Sequence, residues 1–337
     1  MRAYGDTTVL VGKAAFTVSG GSVFRLVYTE VYVRRDSHRM ASVAIISAYT
    51  LPGENVMPEG IAYSSDHGFY AGSSTDGTIF RGCLDDELAQ VWQPPGKDAR
   101  TCVLGLAVHR DQWLVACGGQ TGHLFVYNMA EAALLARRTV PATSTLLNDV
   151  WTVGEAAFVT DSARPVLWRL PLGATPQDIG EPQIFADLSG AGAGAFLNGI
   201  TATADGTALL VAAQGTGTLW RVETASGAVE QVRLPEGYRF GADGLLLLDD
   251  HLLAGVVNQT RRDTLVFSLA VVALDAAART AVPAGTWDDS RFDTPTTITL
   301  AQQRLLVVNS QLTRAEPAAP FHVISMDLPP VPSSPSL

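Results

Sequence analysis

Residues 58–92 read PEGIAYSSDHGFYAGSSTDGTIFRGCLDDELAQVW, and four short apolar runs stand out in them: Gly60 to Tyr63, Phe69 to Ala71, Thr78 to Arg81 and Leu88 to Trp92. Each is bounded by Gly, Ser or Asp, and the gaps between them are too short for a helix of ~12 residues. The stretch therefore reads as four consecutive strands. The same grammar returns at Leu104 to Val108, Gln112 to Ala116, Gly122 to Tyr127 and Leu134 to Val140. Aligning the first strand of each unit along the chain places Glu59, Gly105, Asn148, Asn198, Asp243 and Thr296 in register, at spacings of 46, 43, 50, 45 and 53 residues. A period of this size is that of a propeller blade. The third strands agree as well, since Gly77-Thr78-Ile79-Phe80-Arg81, Pro165-Val166-Leu167-Trp168-Arg169 and Gly217-Thr218-Leu219-Trp220-Arg221 share the form small, apolar, aromatic, Arg.

The expected fold is all-β, a six-bladed β-propeller over residues 43–328. The last unit supplies only three good strands, 297–300, 304–309 and 321–328. The apolar run 43–51 has no partner in the first unit and is expected to close the ring as the outer strand of blade six, which leaves few open edges. Residues 1–42 lie outside this grammar and are expected to be a poorly ordered N-terminal extension. Residues 329–337, rich in Pro and Ser, read as a disordered tail.

Composition narrows the function. The 337 residues carry 23 Lys plus Arg against 33 Asp plus Glu, a net charge of -10, which leaves no basic surplus for a phosphate backbone. Nucleic acid is not an expected partner. Apolar residues make up 47% of the chain, yet no run approaches the ~18 residues that would span a bilayer. No apolar segment of signal-peptide form opens the chain, so the expectation is a cytoplasmic protein without membrane contact, and a monomer. Cys83, Cys102 and Cys117 are odd in number and lack C-x-x-C spacing, so buried free thiols are expected.

In a propeller the innermost strands surround the central channel, and their first residues ring its mouth. Four of the aligned openers carry a side-chain oxygen: Glu59, Asn148, Asn198 and Asp243. A lone Asn-Gly or Asp-Gly is ordinarily turn chemistry. Four such residues at one repeat position would converge on the axis without partners, a cost that a bound cation removes. Two carboxylates and two amide oxygens suit Ca2+ or another hard divalent cation.

With Pro-Glu-Gly, Leu-Asn-Asp, Asn-Gly and Asp-Gly in this order over six blades, the chain resembles the senescence-marker-protein-30/gluconolactonase family, whose relatives include calcium-dependent diisopropylfluorophosphatases and, more distantly, paraoxonases. The resemblance implies a divalent cation held by Glu59, Asn148, Asn198 and Asp243, with Asp243 as catalytic base or nucleophile. It implies a metal-dependent hydrolase of a lactone or related ester. Sugar-lactonase members carry Arg two residues before the Asn of the Asn-Asp pair. Leu146 stands there in this chain, which points to an uncharged, apolar lactone or ester.

The loops after the second strands face the mouth and offer Gln120, His123, Gln214, Asn258 and Asn309 as further substrate contacts. Because Gly105 and Thr296 occupy the opener position in blades two and six, the substrate is expected to approach the metal there. A lyase or isomerase on the same metal scaffold, and a non-catalytic ligand-binding propeller with a structural ion, are the two other readings. No Gly-x-Ser-x-Gly elbow precedes a helix, which disfavours serine chemistry.

Overall fold

A computed structural model describes residues 2–4, 7–17, 23–35, 39–43, 46–261 and 264–330, with side chains from residue 46 onward except at residue 261. The chain divides into two compact units, residues 1–47 and 48–337. The larger is a six-bladed β-propeller. Each blade is a four-stranded antiparallel meander, and among the described residues helical structure is limited to three 3₁₀ turns.

The inner strands, in chain order, are Pro58–Ser64, Leu106–His109, Leu147–Val153, Leu197–Ala202, Ala242–Leu247 and Pro295–Ala301. Apolar clusters fill the space between neighbouring blades. Leu124 and Val126 of blade two pack with Leu147, Val159 and Trp168 of blade three, and Phe158 and Leu167 of blade three pack with Leu197, Val211 and Trp220 of blade four. The aromatic of the repeated third-strand motif is thus the wedge between blades. Gly217, which opens that motif in blade four, has φ +68°, and a Cβ there would lie 2.8 Å from Arg239 Cβ. Only glycine makes this turn without strain.

Blade six consists of Pro295–Ala301, Arg304–Asn309, Phe321–Asp327 and Ala48–Leu51. The closing strand pairs antiparallel with Phe321–Ile324, in the register Phe321 to Leu51 and Ile324 to Ala48. Its other side is bonded to blade one, through Thr50 N–H to Glu87 O (2.7 Å) and Ala89 N–H to Thr50 O (3.0 Å). Tyr49 packs on Phe69 of blade one with ring centroids 4.9 Å apart, and its hydroxyl donates to Leu84 O. The closing strand is shorter than the expected 43–51, because Val43 pairs with Val31 in a separate sheet.

That sheet is the smaller unit. Its strands Arg2–Tyr4, Thr7–Thr17, Val23–Arg35 and Arg39–Val43 form an antiparallel meander in chain order. The residues 1–42 set aside as an extension therefore contain four paired strands. Most of the Pro/Ser-rich tail, residues 331–337, lies outside the described residues.

Candidate functional site

The inner strands of five blades share one irregularity. Register with the second strand shifts between Pro58 and Ile61, Leu147 and Val150, Leu197 and Ile200, Ala242 and Leu245, and Pro295 and Ile298. Such a bulge redirects the side chains within it. The residues inside are Glu59-Gly60, Asn148-Asp149, Asn198-Gly199, Asp243-Gly244 and Thr296-Thr297.

The glycines at this point of the inner strands are required by packing between blades. A Cβ on Gly60 would lie 2.2 Å from Leu104 O, on Gly105 2.5 Å from Asn148 O, on Gly199 2.2 Å from Asp243 O and on Gly244 2.9 Å from Thr296 O. Each glycine thus faces the opener carbonyl of the next blade. This corrects the alignment of blade two by one residue: Leu104 is its opener, and Gly105 corresponds to Gly60, Gly199 and Gly244. Gly118 N–H bonds His123 O as Ser73 N–H bonds Thr78 O, which places the second strand in the same one-residue shift. Blade two therefore carries a half-buried leucine, not a glycine, at the opener position.

The four predicted ligands are all buried, with Glu59 6%, Asn148 4%, Asn198 4% and Asp243 8% exposed. Asn148 Nδ2 donates to Ser162 Oγ (2.9 Å), and Ser162 Oγ donates to Leu197 O (2.5 Å). Asn198 Nδ2 donates to Gln214 Oε1 (3.0 Å), while Gln214 Nε2 donates to Asp243 Oδ2 at 3.4 Å. The amide nitrogens are thus taken up by the residues that directly follow the second strands. Glu59 Oε2 and Asn148 Oδ1 remain buried with no hydrogen-bond partner.

A third carboxylate lies beside them. Asp149, unassigned by the sequence, accepts from Val150 N–H (2.9 Å) and Ile200 N–H (3.1 Å) and faces the axial channel, a cavity of about 130 Å3 lined by residues of all six inner strands. Burial pushes the Glu59 carboxyl well above the usual range, and the negative charges of Asp243 and Asp149 push it further. Asp243 is raised to about 7 by burial and then by Asp149, against the bonds from Gln214 and Asn198. Asp149 is raised to about 7 by burial, opposed by its two backbone donors. Among the described residues no three His, Cys, Asp or Glu side chains gather in metal-binding geometry. A cation here would depend on the amide oxygens as much as on the carboxylates, and a hard ion accepts both.

The remaining predicted residues divide. Gln214 joins the site directly. Leu146 is half-buried two residues before Asn148, its N–H donated to Asp161 Oδ1 (2.9 Å) and its carbonyl accepting from Ser162 N–H (2.9 Å). Asn258 donates to Pro295 O (2.8 Å), and its Oδ1 is buried without a partner. Gln120 is exposed on the loop whose Gly119 bonds Leu147 N–H. His123 instead turns to the outer strand of its own blade, Nδ1 lying 2.9 Å from Thr139 Oγ1. Asn309 is consumed by structure, accepting from Asp293 N–H (3.1 Å) and donating to Arg291 O (2.7 Å). The three cysteines are free, with Cys117 buried but Cys83 exposed.

No protein-family model matches the chain, and no curated protein does. Solved structures do match. A Lactobacillus plantarum protein of 17% identity covers 96% of this chain and 97% of its own, with a TM-score of 0.56. Virginiamycin B lyase from Staphylococcus aureus is 11% identical over 96% of this chain and 99% of its own, at 0.55. A candidate 6-phosphogluconolactonase from Bacteroides fragilis is 13% identical over 89% of this chain and 86% of its own, at 0.54. At such identities the likeness is one of propeller scaffold, which hosts hydrolases and lyases alike.

Proposed function

We propose that this propeller is a divalent-metal-dependent hydrolase of a lactone or related ester with an apolar body, akin to the senescence-marker-protein-30/gluconolactonase family. The observation that carries the reading is the pair of partnerless buried oxygens, Glu59 Oε2 and Asn148 Oδ1, beside a raised Asp243. Glu59, Asn148, Asn198 and Asp243 would hold the ion, which when bound polarises an ester carbonyl as a Lewis acid. Ser162 and Gln214 fix the two amides by taking up their nitrogens. Leu104 and Leu146 provide an apolar wall on the blade two and three side.

Asp243 acts in one of two ways: it takes a proton from the water that attacks the carbonyl carbon, with the ester or ring oxygen leaving as the alcohol, or it adds to that carbon itself, expelling the same oxygen and leaving an acyl-aspartyl anhydride that water cleaves at the aspartyl carbon. Single turnover in 18O water separates them, with label in the acid product for the first and in Asp243 for the second. The primary test is hydrolysis of a lactone panel with and without chelator. Turnover that stops on chelation and returns with calcium supports the reading, whereas chelator-insensitive turnover overturns it. An elimination product would instead assign a lyase. Asp243→Asn keeps size and one ligand oxygen but loses the base, so a loss of at least ~100-fold in kcat is expected at calcium concentrations that keep the site filled.

A further inference from the structure

Resting on that hydrolase reading, we infer that substrate enters over blades four and five, and that Arg239 there selects lactones or esters carrying an anionic substituent. A cleft of about 690 Å3 opens between these blades and is lined by Phe196, Gln214, Tyr238, Arg239, Asn258 and Ser268, among others. It meets the site at Gln214. Gln214 bonds both Asn198 and Asp243, while Phe196 and Gly241 each stand two residues before a proposed ligand.

The walls follow from unequal strand lengths. The second and third strands of blade five, Leu252–Arg261 and Thr264–Leu274, have 10 and 11 residues, against 6 and 6 for Ala208–Ala213 and Thr218–Glu223 of blade four. The longer hairpin carries Asn258, Gln259 and Thr260 along one side of the cleft, and the segment 237–241 forms another. Blade two, by contrast, carries Leu104 at its opener position.

The cleft has a definite chemistry. Among the described residues that line it, Arg239 is the one that carries a charge, in a chain of net charge -10. Its Nη2 donates to Gly215 O at 3.0 Å, which holds the guanidinium at the cleft without neutralising it. Phe196, 40% exposed, and half-buried Tyr238 offer apolar surface. A guanidinium matches a carboxylate with two parallel hydrogen bonds. The complementary ligand has a carbonyl at Asp243, an apolar body on Phe196 and Tyr238, and an acid group at Arg239. This revises the expectation of an uncharged substrate, which considered only the wall at Leu146.

The test compares a lactone bearing a carboxylate with its carboxamide, by kcat/KM and by calorimetric binding to the calcium-loaded protein. Wild type is expected to prefer the acid by about tenfold, the worth of one charge-assisted contact. Arg239→Gln should reduce the preference to about one, and Arg239→Lys should retain part of it. Added salt should shrink the wild-type preference, since the cation is exposed. Equal use of the two lactones by wild type, or a preference that survives Arg239→Gln, would overturn the assignment. If neither lactone is turned over, the hydrolase reading fails, and binding decides the cleft. Tighter binding of the acid that is lost in Arg239→Gln upholds Arg239 as the anion contact, while equal or absent binding refutes it.

Discussion

Ser162 was invisible as a functional residue in the sequence, yet the structure gives it the task of turning Asn148. It accepts from Asn148 Nδ2 and is itself anchored on Leu197 O in the next blade. Ser162→Ala should therefore leave the fold intact and weaken calcium binding by about 10–100-fold, the usual cost of losing a partner that orients a ligand; isothermal titration reads it directly. Asp149 was equally hidden, for a reason that lies in distance along the chain. Its donor, Ile200 N–H, is 51 residues away, so nothing local distinguishes it from the Asp of an ordinary turn. The openers Glu59, Asn148, Asn198 and Asp243 were legible because the repeat supplied what local sequence lacks, a shared position. His109 gives a residue-scale prediction outside the site. It is 3% exposed, packs by Trp113 and has a partnerless Nε2, and burial, then the Arg110 charge, lowers its pKa below 6.5. The unfolded chain thus takes up this proton first as pH falls. Stability from His109 is present above about pH 6.5 and is lost below it, and His109→Leu should remove that part of the acid-side decline in denaturant titrations.

At the scale of elements, glycine was read for turns and proved to serve the close approach of neighbouring inner strands. The one-residue error in blade two follows from this: Gly105 was aligned with the openers, whereas the contact to Asn148 O shows it to be the residue after one. The closing strand was legible in kind but not in extent. Apolar alternation marks a strand without naming its partner, and only pairing assigns Val43 to one sheet and Ala48–Leu51 to another. The long strands of residues 7–35 escaped the blade grammar because their 11 and 13 residues lack its regular turn signals. The closing strand also makes a measurable prediction. Tyr49, 3% exposed, joins blade six to blade one by its ring and its hydroxyl. Tyr49→Ala should cost about 3–5 kcal/mol, as other buried aromatic truncations do, and denaturant unfolding measures it.

For the molecule as a whole, the inner strands form a ring in which Gly105 N–H bonds Asn148 O (2.6 Å), Ile200 N–H bonds Asp149 and Thr296 Oγ1 donates to Glu59 O (2.7 Å). The proposed ligands come from blades one, three, four and five, so an ion among them would act on global stability. Chelation is expected to lower the melting temperature and calcium to restore it. The metal-free protein holds Asp243 near 7, against about 4 in an unfolded chain, so its stability from this group falls as pH rises between those values and stays lost above 7. Calcium binding needs the ionised carboxylate, so the difference between loaded and chelated protein should grow from pH 5 to pH 8. Scanning calorimetry at both pH values tests this; a chelator effect equal at the two would refute it. Finally, closure of blade six has a consequence for biosynthesis. Thr50 and His322, which pair in that blade, are 272 residues apart in the chain. A ribosome adding ~5–20 residues per second needs roughly 15–50 s to cover that interval. For all of that time the early strand waits with one edge open, so the nascent chain depends on whatever shields that edge until its last blade emerges.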